Sequence, residues 1–252
     1  MNIAVITGAS SGLGIEYLKS LCERNRDIAE YWIIARRKER LEEIVKGYPD
    51  KKIVPICLDL SEYESYKTYE ELLKKNNANI KVLVNNAGYG VLGDVCDGEY
   101  VEQSGMVDLN CRALTALTTI SLKYMQEGSY VINVCSIASF CPNARMTVYS
   151  STKAYVKSFS RGVRFENKNK GINVLAVCPG PMKTEFLDVA GINGRSKTFE
   201  ILPYCDPAGV AKGSIIAAEK GRAIYTPRAF YKFYRFLAKV IPHGIMMHLT
   251  KT

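Results

Sequence analysis

Six runs of aliphatic and β-branched residues recur along the chain: IAVI (3–6), YWIIA (31–35), KIVPIC (52–57), IKVLVN (80–85), YVINVC (130–135) and INVLAVC (172–178). A shorter seventh run, AIYT, follows at 223–226. Between them lie amphipathic stretches of about 12–20 residues, such as IEYLKSLCERN (15–25), RLEEIVKGY (40–48) and ALTALTTISLKYM (113–125). Strands that are apolar on both faces and separated by helices have one stable arrangement, a parallel sheet covered on each side. Right-handed crossovers then give an α/β, doubly wound, three-layered sheet. No repeat, linker or low-complexity segment interrupts the pattern, so one domain is expected over residues 1–252, ending in a helical tail. The stretch 181–206 lacks periodicity and reads as a loop or short-helix lid.

Composition narrows the function classes. The opening MNIAVITGASSGLG has no basic segment and meets glycines too early for a secretion signal, and no apolar run approaches a membrane span. A cytoplasmic location is expected. The eight cysteines contain no CxxC pair, and both histidines fall near the C-terminus, so no metal site is expected. Of the net charge of +9, residues after Glu219 supply +7 without a single acid (Lys220, Arg222, Arg228, Lys232, Arg235, Lys239 and Lys251). A basic tail, not a nucleic-acid-binding surface, is the reading.

The first strand runs into TGASSGLG (7–14) and then a helix. Gly8 permits a tight turn, Gly12 lets backbone approach a phosphate, and Gly14 allows the helix to pack closely on the strand. A helix N-terminus placed there offers free N–H groups to a pyrophosphate. The spacing differs from the usual GxGxxG, and a tight strand–helix turn alone is the competing reading. The second strand ends in ARRKER (35–40). An NAD-binding fold places an acid near this point to hold a ribose hydroxyl; Arg36 and Arg37 instead suit a 2′-phosphate, unless they simply open a solvated helix. NADP(H) is the expected cofactor. In YSSTK, Tyr149 and Lys153 share one helical face, which by itself describes any solvated helix.

With TGASSGLG, NNAG (85–88) and Tyr149-x-x-x-Lys153 in one chain, the sequence resembles the short-chain dehydrogenase/reductase family over residues 2 to about 190. Asp59, Asn110 in VDLN, Ser136 and PGPMKT (179–184) extend the match. The resemblance implies an oxidoreductase acting on CH–OH groups. It implies a cofactor groove made by Gly8, Ser10, Ser11, Gly12, Leu13, Gly14, Arg36, Arg37, Asp59, Asn86, Ala87 and Gly88. Pro179, Gly180 and Thr184 would stand at the nicotinamide end. Tyr149 would be the acid/base. Lys153 would hold the nicotinamide ribose and, with the oxidised ring, lower the tyrosine pKa. Ser136 would bond the substrate oxygen, and Asn110 would support a water relay. A homodimer or homotetramer is the assembly implied.

Phe140, Met146, Phe186, Val189, Ile192, Phe199 and Leu202 are expected near the substrate. They suit a bulky hydrophobic alcohol or ketone, with ordinary lid packing as the alternative. Among the substrates that the resemblance to the short-chain dehydrogenase/reductase family implies, hydroxysteroids, including bile acids, are the first class and 3-oxoacyl or other fatty-acyl ketones the second. A non-catalytic NADP(H)-binding regulator is the alternative of another class. In the tail, Phe230, Phe233, Tyr234, Leu237 and Ile241 form one helical stripe, and Lys232, Arg235 and Lys239 another. Cover for the active site or a subunit interface is favoured there over a membrane surface.

Overall fold

The computed structural model describes residues 1–24 and 27–249. Seven strands form one all-parallel sheet: β1 (Asn2–Thr7), β2 (Glu30–Ala35), β3 (Ile53–Cys57), β4 (Asn79–Asn85), β5 (Tyr130–Val134), β6 (Asn173–Val177) and β7 (Ile224–Tyr225). Their spatial order is β3-β2-β1-β4-β5-β6-β7. The chain thus reverses direction across the sheet between β1 and β4, and a ligand crevice opens where it does so. The seven strands match the seven apolar runs.

Strand side chains alternate between two cores. Ala4 and Ile6 of β1 face a core shared with α1 (Gly12–Glu23), α2 (Lys38–Lys46) and α9 (Pro207–Glu219). Ile3 and Val5 face the opposite core, against α3 (Tyr63–Lys75), α5 (Leu114–Ser121) and α6 (Thr147–Glu166). Both faces are therefore dry, which is why the strands read as continuous apolar runs. Short helices fill the rest: α4 (Tyr100–Val107), α7 (Phe186–Val189) and α8 (Lys197–Ile201).

Two polar residues inside the apolar strands tie the sheet to the helices beneath the crevice. Asn85 donates to Thr118 Oγ1 (2.9 Å) and to Asn133 Oδ1 (2.8 Å). Asn133 in turn donates to Ser160 Oγ (2.9 Å). Buried amides need such partners, and here they fix β4, β5, α5 and α6 in one register.

The tail forms α10 (Ala229–Val240) and α11 (His243–Leu249), with Pro242 between them. Its packing corrects the expected stripe. Tyr231 and Ala238 are the buried residues of α10, with Tyr234, Leu237 and Ile241 half-buried beside them, while Phe233 faces outward and Phe230, also exposed, borders the cavity. Tyr231 decides the rotation. It enters the core, its hydroxyl donates to Pro203 O (2.8 Å), and its ring lies against Gly180.

A methyl group at Gly180 would overlap that ring. Gly180→Ala should destabilise the fold by about 1–3 kcal/mol of overpacking. At about 2–4 °C per kcal/mol for a chain of this size, a thermal melt followed by circular dichroism should fall by several degrees.

Candidate active site

A cavity of about 1290 Å³ runs along the C-terminal ends of the strands. The glycine-rich loop forms one wall. Gly8 and Gly12 both hold positive φ (+64° and +50°), which only glycine adopts without strain. Gly14 is packed so tightly on the Gly8 carbonyl that no side chain fits. Helix α1 starts at Gly12 after Ser11, whose side chain makes no cap; Gly14 N donates to Ser11 O (3.2 Å), which leaves the N–H groups of Gly12 and Leu13 to face the crevice.

Thr7 anchors this loop to the β4 end, a role the motif reading missed. Its hydroxyl accepts from Asn86 N and Ala87 N (both 3.0 Å), while Asn86 Nδ2 donates back to Thr7 O and Gly8 O (both 3.1 Å). Across the crevice Thr184 stands over Gly12, where an added Cβ would come within 3.1 Å of the threonine Cβ. The loop is thus a cradle that any larger residue would fill.

Arg37 lies over the end of the cradle. Its Nη2 donates to Ser10 Oγ (3.0 Å), and its Nη1 pairs with Glu185 Oε2 (2.9 Å). Arg40 pairs with the other oxygen of Glu185. These two arginines, Arg40 first, hold the Glu185 carboxyl below the usual carboxylate range. Arg36 points to Asp59 at 3.8 Å. Burial pushes the Asp59 carboxyl upward, but hydrogen bonds from Ser61 and the charge of Arg36 prevail and lower it. Neither Arg40 nor Glu185 was among the expected residues. Glu185 lies 148 positions from Arg37 in the chain, and nothing local predicts the pairing.

Three of the four expected catalytic residues, Ser136, Tyr149 and Lys153, line the other end of the cavity, and Asn110 is buried behind them against Gly88. Tyr149 is buried on α6, and its hydroxyl is hydrogen-bonded with Ser136 at the end of β5. Its ring packs on Phe186, 5.5 Å between centroids, with Gly90 beneath. One helical turn on, Lys153 places Nζ 5.7 Å from the centre of the Tyr149 ring and donates to Val134 O (2.9 Å).

Asn110 sits in a π-helical turn, Asp108–Ala113, that joins α4 to α5. Such turns insert one residue into a helix and are frequent at functional sites. The side chain is held from both ends, accepting from Tyr89 N (3.0 Å) and donating to Tyr89 O (2.8 Å) and Thr152 Oγ1 (3.1 Å). Gly88 is small because Asn110 Oδ1 and Lys153 Nζ close over it.

Burial dominates and raises the Tyr149 phenol pKa, with the Ser136 hydrogen bond opposing it. The ammonium is turned to the Val134 carbonyl, and its own pKa is depressed by burial.

Every expected cofactor residue except Gly14 faces the cavity. Of the residues expected near the substrate, Met146, Phe186, Val189, Phe199 and Leu202 line it. Phe140 does not. It packs with Cys135, Val156 and Ala238, beneath the Lys157 ammonium (4.9 Å). Ile192 is likewise withdrawn into the cluster around Leu92 and Met106. Phe230, Tyr231, Tyr234, Leu237 and Met246 of the tail take their place along the wall.

A family model described as short chain dehydrogenase matches residues 2–191. The chain belongs to that family. An uncharacterised oxidoreductase of Staphylococcus saprophyticus is 27% identical over 223 residues, covering 86% of this chain and 91% of that protein. Among solved structures, a short-chain dehydrogenase from Sphingobium yanoikuyae in complex with NADPH superposes with a TM-score of 0.82. It is 24% identical, over 98% of this chain and 95% of that one. The bulky-bulky ketone specific alcohol dehydrogenase from Comamonas testosteroni superposes with a TM-score of 0.77. It is 25% identical, over 98% and 94%. Family membership makes the protein an oxidoreductase and accounts for the all-parallel sheet, the glycine-rich loop and the Tyr149–Lys153 pair on one helix.

Proposed function

We propose that the protein is an NADP(H)-dependent oxidoreductase that interconverts a secondary alcohol and a ketone on a bulky hydrophobic substrate. The observation that carries this reading is the meeting of Ser136, Tyr149 and Lys153 in the same cavity whose far end holds Ser10, Arg36 and Arg37.

The cradle around Gly12 and the free N–H groups of α1 suit a pyrophosphate, and the two guanidinium groups suit a 2′-phosphate. The similar Sphingobium structure holds NADPH. When bound, this cofactor supplies or accepts the hydride. The side chains do the rest. Ser136 and Tyr149 hydrogen-bond the substrate oxygen, and Tyr149 gives its proton to that oxygen during ketone reduction. Lys153 lies close enough to stabilise the phenolate that results, and Asn110 fixes the backbone at Tyr89 beside it.

A phenol whose pKa is raised by burial remains a proton donor as pH rises. Ketone reduction should therefore hold a plateau from about pH 7 to about pH 9, whereas alcohol oxidation, which needs the phenolate, should climb over the same range. Initial rates measured in both directions across that range check the assignment. A reductive rate that falls steadily from neutral pH would contradict it.

The cavity wall of Met146, Phe186, Phe199 and Leu202, extended by the tail, favours a large apolar substrate. Similarity to a bulky-ketone alcohol dehydrogenase points the same way. Hydroxysteroids and bile-acid-type ketones are the first candidates and 3-oxoacyl or other fatty-acyl ketones the second. Oxidation of NADPH followed by absorbance over a panel of both, beside small ketones, tests the choice. NADPH binding with no turnover on any of them would support a regulatory binding protein instead.

A further inference from the structure

Helix α10 has three faces, and the enzyme's chemistry explains only one. Its inner face closes the cavity through Tyr231, Tyr234 and Leu237. Its outer face carries Phe233 (61% exposed), Phe236 (61%) and Val240 (62%), at the i, i+3, i+7 spacing of a single helical row. Ile245 and Met247 of α11 are exposed as well. Beside the phenylalanine row runs a second one, Lys232, Arg235 and Lys239, at the same spacing.

From Lys220 to the C-terminus the sequence contains no acidic residue. An apolar row exposed beside a cationic row, on a helix of low overall hydrophobicity, has the composition of a helix that lies in a membrane interface. No helix among the described residues is long and apolar enough to cross a membrane, so the contact is a surface one.

We infer that the outer face of α10 and α11 docks on a bilayer surface that contains anionic lipid, inserting Phe233, Phe236 and Val240 between headgroups that Lys232 and Lys239 hold electrostatically. A second copy of this chain is a poorer occupant. Self-complementary pairing through the phenylalanine row brings the same basic tail from both partners to one interface, and neither tail has an acid to answer it. An anionic surface answers both rows at once. Docking also sets the tail-lined wall of the cavity, which the same helix forms from within, next to the apolar phase. The docking itself does not depend on the substrate assigned above.

The test uses the full chain and vesicles of phosphatidylcholine with and without phosphatidylglycerol. Wild type should co-sediment with the anionic vesicles, more weakly with neutral ones, and lose binding as salt is raised. Phe233→Ser with Phe236→Ser should lower partitioning about tenfold or more, since two large side chains leave the interface. Turnover of a water-soluble ketone should persist, because neither residue lines the cavity. Lys232→Glu with Lys239→Glu should abolish the preference for anionic vesicles, and this pair serves if the serine variant fails to fold. Wild type that ignores anionic vesicles overturns the proposal. So does a serine variant that binds them as wild type does, or one whose only change is a smaller assembly by light scattering.

Discussion

Tyr149→Phe should lower kcat by about 10²–10⁴-fold, the usual contribution of a positioned general acid, while NADPH still binds. The substitution is mild in every respect but one. The ring that packs on Phe186 and over Gly90 is kept, and so is the α6 backbone that carries Lys153. What disappears is the hydroxyl shared with Ser136. Stopped-flow or steady-state turnover, paired with NADPH fluorescence titration, separates the chemical loss from a binding loss. A variant with near-normal kcat would remove Tyr149 as the proton donor. A variant that loses NADPH affinity as well as rate would point to a collapsed site.

Arg36→Ala with Arg37→Ala should weaken NADPH at least about tenfold and leave NADH nearly untouched. Hydrogen bonds to a charged group contribute about 1.5–3 kcal/mol each, and only NADPH carries the 2′-phosphate they would meet. Arg37 is the stronger of the two because Ser10 already aims its guanidinium into the cradle. Arg40, held through Glu185, gives the double variant a residual cation nearby and limits the loss. Calorimetric titration with both nucleotides measures the ratio. If wild type prefers NADH, or the double variant keeps the wild-type preference, the arginines serve another purpose.

The strands and the three-layered order were legible because a sheet buried on both faces leaves uninterrupted apolar runs, and nothing else in the chain imitates them. The cofactor cradle was legible for a similar reason. Its glycines are demanded by positive φ at Gly8 and Gly12 and by contact at Gly14, all within one turn of chain. What stayed hidden depends on distant partners. Glu185 follows the PGPMKT motif without distinction until it reaches across to Arg37 and Arg40. The π-helical turn at Asn110 comes from backbone geometry that side-chain periodicity does not encode. Phe140 and Ile192 are apolar residues near the right strands, and only packing decides that they turn away from the cavity. The tail shows how little rotation such errors need. Its two apolar rows are close to equivalent in sequence, and the gap above Gly180 selects the one containing Tyr231.

The position of β1 in the sheet bears on how the chain is made. Of the seven strands it is the first to be synthesised, and it ends up in the interior, paired with β2 on one side and with β4 from Asn2↔Asn79 on the other. Its first neighbour follows quickly, since β2 is complete by Ala35. Its other edge stays open until Asn85 emerges. At translation speeds of about 5–20 residues per second, the wait is on the order of several seconds. During that time a strand reading NIAVIT exposes a row of unpaired backbone groups on an apolar surface, the template on which nascent chains aggregate. The finished sheet has β1 sealed between neighbours, so this exposure belongs to biosynthesis and ends when β4 docks.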